Sequence, residues 1–293
     1  MDRLDAMQLF VRVAELGSFA AAAQQLGVAR SVVTRQIAGL EAHLGAKLMA
    51  RSTRRLTLTS AGAAYLEKCR VILNLVEAAE TGIAEEGQAP RGNIRLSLPL
   101  SFGLKRLAPL LLDFSRRYPE VMLDMDYSDR RINLIEEGLD LAIRVTRRLE
   151  AGDIARRLGA CRMLTLASPD YLAQHGRPAH PSELAHHLCL GYTNAGHTMS
   201  WQFVVDGQLV STPVRSRLNA NNGEVLTEAA ALGLGITCQP DFIAEPFLAA
   251  GRVVEILTDF PGPELGVHAL LPGNRHLPHR VRALIDHLAA GLA

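Results

Sequence analysis

SFAAAAQQLGVARSVVTRQIAGLEAHLGAKLMARSTRRLTLTSAG, residues 18–62, decides how the rest of the chain is read. Ser18 is a good N-cap, because its hydroxyl can accept a backbone N–H that the first helical turn leaves unpaired. The helix it opens spans Phe19 to Leu26, and Gly27 then permits a tight turn. In the next helix Val33, Ile37, Leu40 and Leu44 fall at helical spacing on one buried face, and Gly45 ends it. The segment 51–59, RSTRRLTLT, changes period: Leu56 and Leu58 alternate with Thr57 and Thr59, the mark of a short strand with Arg54 and Arg55 at its start. Upstream, Leu4, Met7, Val11 and Ala14 recur at spacings of three and four on a first helix that Gly17 stops.

Three helices, a glycine turn between the second and third, and a charged wing describe a winged helix-turn-helix. In that motif the third helix enters the major groove of double-stranded DNA, its N-terminal residues meeting base edges. With Val33, Ile37 and Leu40 turned inward, Arg30, Ser31, Thr34, Arg35 and Ala38 face out. Arginine reads guanine through O6 and N7, while serine and threonine contact bases or phosphates. Arg51, Arg54 and Arg55 suit phosphate anchoring, which positions the protein without reading sequence. The DNA-contacting set is therefore Ser18, Arg30, Ser31, Thr34, Arg35, Arg51, Arg54 and Arg55. The competing reading is a solvated charged face; turn, wing and charge all coincide against it.

The charge of the 293 residues supports this only after division. Lys and Arg number 31 against 30 Asp and Glu, a net charge of +1 that excludes a uniformly basic coat. Residues 30–70, however, hold eight basic side chains opposed only by Glu41 and Glu67. A polyanion partner is thus expected for one end alone. Hydrophobic residues at 48% and charged ones at 21% make an ordinary globular mix, which argues against long disorder. The start, MDRLDAMQLF, lacks the apolar core of a signal peptide, and no apolar run reaches the roughly 18 residues of a membrane span. Cys69, Cys161, Cys189 and Cys238 are scattered with no CxxC pair. The expectation is a reduced, cytoplasmic protein without a membrane partner.

Thr59 or Ser60 can cap a long helix running to about Glu86. Tyr65, Cys69, Ile72, Val76, Ala79 and Ile83 form an a/d seam over almost three heptads on it. A narrow apolar seam must be buried. A second copy of the helix is the economical partner, giving a homodimer or a tetramer; the alternative is packing on its own chain. GQAPRG, residues 87–92, reads as a linker. Beyond it strands and helices alternate: strands at 94–98, 121–125, 139–145, 163–167, 235–238 and 267–271, and helices around 107–118, 222–232 and 281–292. Asp206-Gly207 between SWQFVV and QLVSTPV signals a type I′ hairpin. The alternation implies a parallel sheet covered by helices.

The segment 18–62 resembles the DNA-binding domain of LysR-type transcriptional regulators. The resemblance rests on Ala20–Ala23, Leu26, Thr34-Arg35-Gln36-Ile37, Leu40-Glu41, Leu44-Gly45, Leu48, Arg51 and Leu58-Thr59-Ser60-Ala61-Gly62. It continues through FSRRYPEV, GLDLAIR, ASPDYL and GLGI before Pro240, and so covers essentially the whole chain. Ala29-Arg30-Ser31 stands where the family often has Ser-Gln-Pro, placing an arginine at a reader position. The resemblance implies an α/β protein with an all-α-type head. Its parts are a winged helix-turn-helix over 1–59, a linker helix over 60–87, a hinge over 88–92 and an effector-binding domain over 93–293. That last domain is implied to be two-lobed, like a periplasmic binding protein, with lobe I at about 93–162 and 266–293 and lobe II at about 163–265. RNA polymerase is a further partner such a regulator allows.

The residues give their own reason for an anion site. In open α/β sheets ligands bind at the carboxyl ends of strands, and helix N-termini there carry free N–H groups. Ser101 and Phe102, in the strand-to-helix turn, and Ser128, Arg144 and Thr146 fall at or after strand ends, with Thr193, Asn221 and Asn222 placed similarly in the other lobe. A small organic, carboxylate-bearing effector is expected, gripped by Ser101 and Thr146 with help from Asn222; ordinary caps and loop bonds are the alternative for each. Arg144 could instead pair with Asp140 or a neighbouring acid.

An enzyme is not expected, since GxSxG, HExxH, GxxxxGK and a correctly placed GxGxxG are all missing. No cofactor is called for. His180, Glu183, His186 and His187 form one histidine-rich cluster, read as a surface loop rather than a metal site. The remaining alternatives are a small-molecule-binding protein with a vestigial head and a redox sensor on the same scaffold.

Overall fold

The computed structural model describes residues 2–51, 56–84, 89–130, 132–150, 152–193, 200–272 and 277–292; within these, the side chains at 51, 74, 75 and 77–84 are outside the description. The N-terminal head holds α1 (Arg3–Leu16), α2 (Phe19–Gln25) and α3 (Arg30–Leu44), followed by a hairpin of β1 (Met49–Arg51) and β2 (Leu56–Leu58). Ser18 accepts from the Ala21 amide at the start of α2, and Gly45 closes α3 with a left-handed φ of 64°. Phe10, Val13, Ala22, Val33, Ile37, Leu40 and Leu48 make one core.

The long helix α4 (Ser60–Ala84) starts on Thr59, whose Oγ1 accepts from the Gly62 amide at 2.9 Å and donates to the Lys47 carbonyl at 2.6 Å. Gly62 allows this docking: a Cβ there would lie 1.9 Å from the Leu48 carbonyl oxygen. The heptad seam is corrected at its first two positions. Cys69 is fully buried in the head core, and the Tyr65 ring packs on Phe10 with centroids 5.8 Å apart. The apolar periodicity there is satisfied by α1 of the same chain. Ile72 is exposed and Val76 half-buried, while the Ala79 and Ile83 side chains lie outside the described residues.

The rest of the chain builds on β3 (Gly92–Leu98), β4 (Val121–Tyr127), β5 (Leu141–Thr146), β6 (Ile154–Ala167), β7 (Cys189–Tyr192), β10 (Ser216–Ala220), β11 (Ile236–Pro240), β12 (Val254–Ile256) and β13 (Glu264–Leu271). The order is β10-β7-β11-β6-β13-β5-β3-β4, with β12 beside β6. The sheet is mixed, not parallel. β3 runs parallel to β4 and β5, but β13 returns antiparallel between β5 and β6, and β11 is antiparallel to β6. β6 begins at Ile154, well before the strand expected at Met163. Its first part, to Arg162, pairs with β13, and its last part with β11 and β12. One strand therefore runs through both lobes.

Lobe I has its core around Ile94, Leu96, Leu111, Phe114, Leu141, Ile143 and Leu284. Its helices are α5 (Leu100–Phe102), a π-wound segment (Gly103–Leu107), α6 (Ala108–Arg117) and the closing α10 (His279–Leu292). Lobe II carries α7 (Pro169–His175), a 3-10 turn (Pro181–His186), α8 (Gly223–Ala231) and α9 (Asp241–Ala249), with apolar clusters around Tyr171 and Phe203 and around Leu166 and Leu226. The expected hairpin is present as β8 (Ser200–Val205) and β9 (Gln208–Pro213), with Asp206 and Gly207 both at positive φ.

Candidate nucleic-acid interface and effector cleft

The outward face of α3 is open. Arg30, Ser31, Arg35 and Ala38 are exposed and Thr34 is half-buried, while Val33, Ile37 and Leu40 are buried behind them. Ala29 caps α3 without a side-chain hydrogen bond, which leaves first-turn amides available to an anion. Ser18 is engaged as the cap of α2. Arg51 ends β1, and Arg54 and Arg55 lie outside the described residues.

The two acids within this basic stretch pair with Lys47 and Arg70 of the same stretch, away from the outer face of α3. Glu41 is buried, and its carboxylate accepts from the Leu48 amide at 3.0 Å, the Met49 amide at 3.2 Å and Lys47 Nζ at 2.6 Å, tying α3 to the root of the wing. Burial pushes its pKa up, but the bonds from Lys47, Leu48 and Met49 outweigh that and hold it below the usual glutamate value. Glu67 sits on α4, where Arg70 donates to one oxygen at 2.9 Å and Arg95 to the other at 3.0 Å. Arg70 also reaches Glu15 of α1, and Arg95, on β3, reaches the carbonyls of Glu137 and Gly138. The linker helix is thus bonded to the head on one side and to lobe I on the other.

Between the lobes lies a cavity of about 290 Å³ lined by Leu100, Tyr127, Ser128, Asp129, Arg130, Asn221 and Asn222. Three expected residues meet there: Ser128, Asn221 and Asn222. Asn222 caps α8 through its Oδ1, and Ser128 Oγ accepts from the Arg130 amide. Ser101 is next to Leu100, but its hydroxyl already donates to Glu224 Oε2 at 2.5 Å, from the opposite lobe. Lys105 Nζ stands 3.6 Å from the other Glu224 oxygen. The amide of Leu100, at the start of α5, donates to Asp129 Oδ1 at 3.1 Å.

The other expected contacts are placed differently. Phe102 is buried, edge-on to Phe242 at 5.0 Å, and belongs to the core. Thr146 turns its hydroxyl to the Arg148 carbonyl at 2.9 Å, so it shapes a turn. Thr193 is exposed at the end of β7. Arg144 donates to Ser97 Oγ at 2.8 Å and the Arg130 carbonyl at 3.4 Å, while Asp140 accepts from the Arg95 amide. Burial presses the Arg144 pKa down, against the fields of Asp129, Asp126 and Glu137. Sequence reasoning missed Glu224, Asp129 and Lys105. Their signal, acids and a base near strand-to-helix turns, is common to many helix starts.

The histidine-rich cluster is spent locally. His180 accepts from the Ser182 amide, Glu183 accepts from the Ala179 amide, and His187 Nδ1 meets the Tyr171 hydroxyl at 3.2 Å. Among the described residues no group of three or more His, Cys, Asp or Glu side chains could hold a metal ion. No single helix among them is long and apolar enough to cross a membrane.

A winged head joined by a long helix to a two-lobed domain with a cleft defines a DNA-binding regulator of the ligand-responsive class. Residues 4–63 match the bacterial regulatory helix-turn-helix of the lysR family, and residues 87–293 match the LysR substrate binding domain. The chain belongs to the LysR family of transcriptional regulators, which are not enzymes. An HTH-type transcriptional regulator of Xanthomonas campestris is 38% identical over 97% of this chain and 84% of its own length. CrgA of Neisseria meningitidis is 36% identical over 98% of this chain and 96% of its own. The solved structure of CrgA covers 99% of this chain and 98% of its own at TM-score 0.62. Full-length AphB of Vibrio cholerae, 30% identical, covers 99% and 100% at 0.61.

Proposed function

We propose that this LysR-type regulator reads DNA through Arg30, Ser31, Thr34 and Arg35, anchors on phosphates through Arg51, Arg54 and Arg55, and takes a small organic carboxylate between its lobes. The observation that carries the effector reading is the pair formed by Glu224 with Ser101 and Lys105, since it supports a corner of the cleft able to hold a carboxylate. Asn222, Asn221 and Ser128 line the adjoining cavity, which has room for a compact organic acid and which Leu100 and Asn222 connect in sequence to this pair. We assign the head to 1–59, the linker to 60–87, the hinge to 88–92 and the two-lobed sensor to 93–293. The protein acts as a dimer or a dimer of dimers in the cytoplasm, the distal part of α4 from Ile72 onward pairing two heads over half-sites about 34 Å, or a multiple, apart.

A redox sensor is the less favoured reading. Burial pushes the Cys69 thiol to about 11 and those of Cys161, Cys189 and Cys238 to about 12, which keeps them protonated and poorly nucleophilic. The open basic face of α3 likewise speaks against a vestigial head. Calorimetric titration of the full chain with a panel of monocarboxylates tests the effector reading. Binding is expected in the wild type, and with Glu224→Gln as the background Ser101→Ala should weaken it about tenfold, the loss of one charge-assisted bond. Unchanged binding in that variant would reject the site.

A further inference from the structure

The anion-binding groups beside the cleft, Ser101 and Lys105, are already engaged, and the group that engages them comes from the same chain. Ser101 Oγ donates to Glu224 Oε2 at 2.5 Å, and Lys105 Nζ faces the other oxygen at 3.6 Å. Ser101 and Lys105 belong to lobe I, and Glu224 opens α8 in lobe II. The tie therefore crosses the cleft. The segment that makes it, Leu100–Phe102 and the π-wound Gly103–Leu107, makes one more polar contact to lobe II: Arg106 pairs with Glu245 of α9 at 2.8 Å. Short π-helical turns are rare and concentrate at functional sites.

Glu224 is well placed to let go. Its side chain is a third exposed, so the contact it gives up is screened by solvent and a swing into water restores its hydration. It lies in the first turn of α8, where the helix dipole favours a negative charge whether or not Ser101 is bonded to it. Gly223 keeps that turn close to lobe II: a Cβ there would lie 2.5 Å from Ile243 Cδ1 and 2.6 Å from Gln239 Oε1. The backbone is held and the side chain is the movable part.

We propose that Glu224 is a built-in stand-in for the effector's carboxylate, so that effector binding is an exchange at Ser101 and Lys105. The inference rests on the carboxylate reading of the cleft. In the free protein Glu224 occupies the donors and ties lobe II to lobe I. An arriving carboxylate takes over the Ser101 hydroxyl and the Lys105 charge, Glu224 moves to solvent, and the tie opens. Binding is then weakened by the fraction of molecules in which Glu224 is seated, and the same competition makes occupancy alter how the lobes are joined.

The test is calorimetric titration of the full chain, as wild type, Glu224→Gln and Glu224→Asp, with acetate, succinate and benzoate, the neutral amide of each, and benzylamine. Glu224→Asp keeps the charge but withdraws it by one methylene from Ser101. A carboxylate of the panel is expected to bind both variants about tenfold more tightly than wild type, the value of one charge-assisted hydrogen bond removed from the competitor. The amides should bind all three proteins alike, and Ser101→Ala should abolish the gain. Equal carboxylate affinity in all three proteins overturns the exchange while leaving the carboxylate reading in place. No carboxylate binding to any of them overturns the carboxylate reading and the exchange with it. Benzylamine binding to wild type that is lost in Glu224→Gln overturns both, because the acid would then be the recognition group for a cation.

Discussion

The head and the sensor both place acids beside positions suited to anions, and they do so in opposite ways. Glu41 of the head is turned inward onto Lys47 and two amides, and Glu67 of α4 is held by Arg70 and Arg95, so among the described residues no carboxylate pairs with Arg30 or Arg35 on the outer face of α3. In the sensor, Asp129 takes the amide that opens α5 and Glu224 takes the Ser101 hydroxyl. On the reading proposed above, a site for a polyanion is left open, whereas a site for one small anion is kept occupied. The difference follows from the partners. DNA brings many phosphates and gains from every free cation. A small effector must be distinguished from abundant small anions, and a seated carboxylate raises the threshold for all of them.

The largest expected effect comes from breaking the inward use of acid in the head. Glu41→Ala removes the acceptor of two main-chain amides and of Lys47 at the wing root, and should cost about 3 kcal/mol in urea unfolding of the full chain. Glu41→Gln isolates the charge. Because the folded carboxyl titrates below its ordinary value of 4.5, its stabilisation is complete above that value and is lost as pH falls through the lower folded one. The difference in urea midpoint between wild type and Glu41→Gln should therefore be full at pH 7 and close below 4.5. A difference that stays constant with pH would separate Glu41 from the stability of the wing.

A smaller effect is expected at the open face. Arg30→Ala should lower affinity for the preferred operator about tenfold and relax its sequence preference at one base position, measured by selection from random duplexes followed by gel shift at fixed salt. Loss of equal size on every sequence would make Arg30 a phosphate anchor and remove the distinction between readers and anchors on which the open face is described.

How far these features were legible depends on how local they are. Ser18, Gly27, Gly45 and the inward set Val33, Ile37 and Leu40 act within a turn or two of themselves, and the helices form where their spacing puts them. The seam on α4 shows the limit of periodicity: it fixes which face of the helix is apolar, not what covers it, and α1 covers Tyr65 and Cys69. The mixed sheet was hidden because β13, from the far end of the chain, inserts between β5 and β6. In the cleft, Ser128, Asn221 and Asn222 could be placed by the rule that ligands meet strand ends. Glu224 could not. It joins Ser101 across 123 residues of sequence, and alone it reads as an acid favoured in any helical first turn.

The smallest effect sharpens the sensor side of the comparison. Asp129 lines the cavity and bonds the Leu100 amide through one oxygen. Asparagine in its place keeps that acceptor, so the start of α5 should stay capped and the unfolding midpoint should hold. What changes is the field: a negative charge that lines the cavity just beyond β4 is gone, and the Arg144 guanidinium loses one of the three acids whose fields act on it. Carboxylate affinity should rise about threefold in Asp129→Asn by calorimetry, less than in Glu224→Gln because a field is relieved but no occupied donor is freed. A rise equal to that of Glu224→Gln would mean that overall charge in the cleft governs binding. The seated carboxylate would then be only one contributor to a general repulsion, and the contrast with the head would reduce to a difference in net charge.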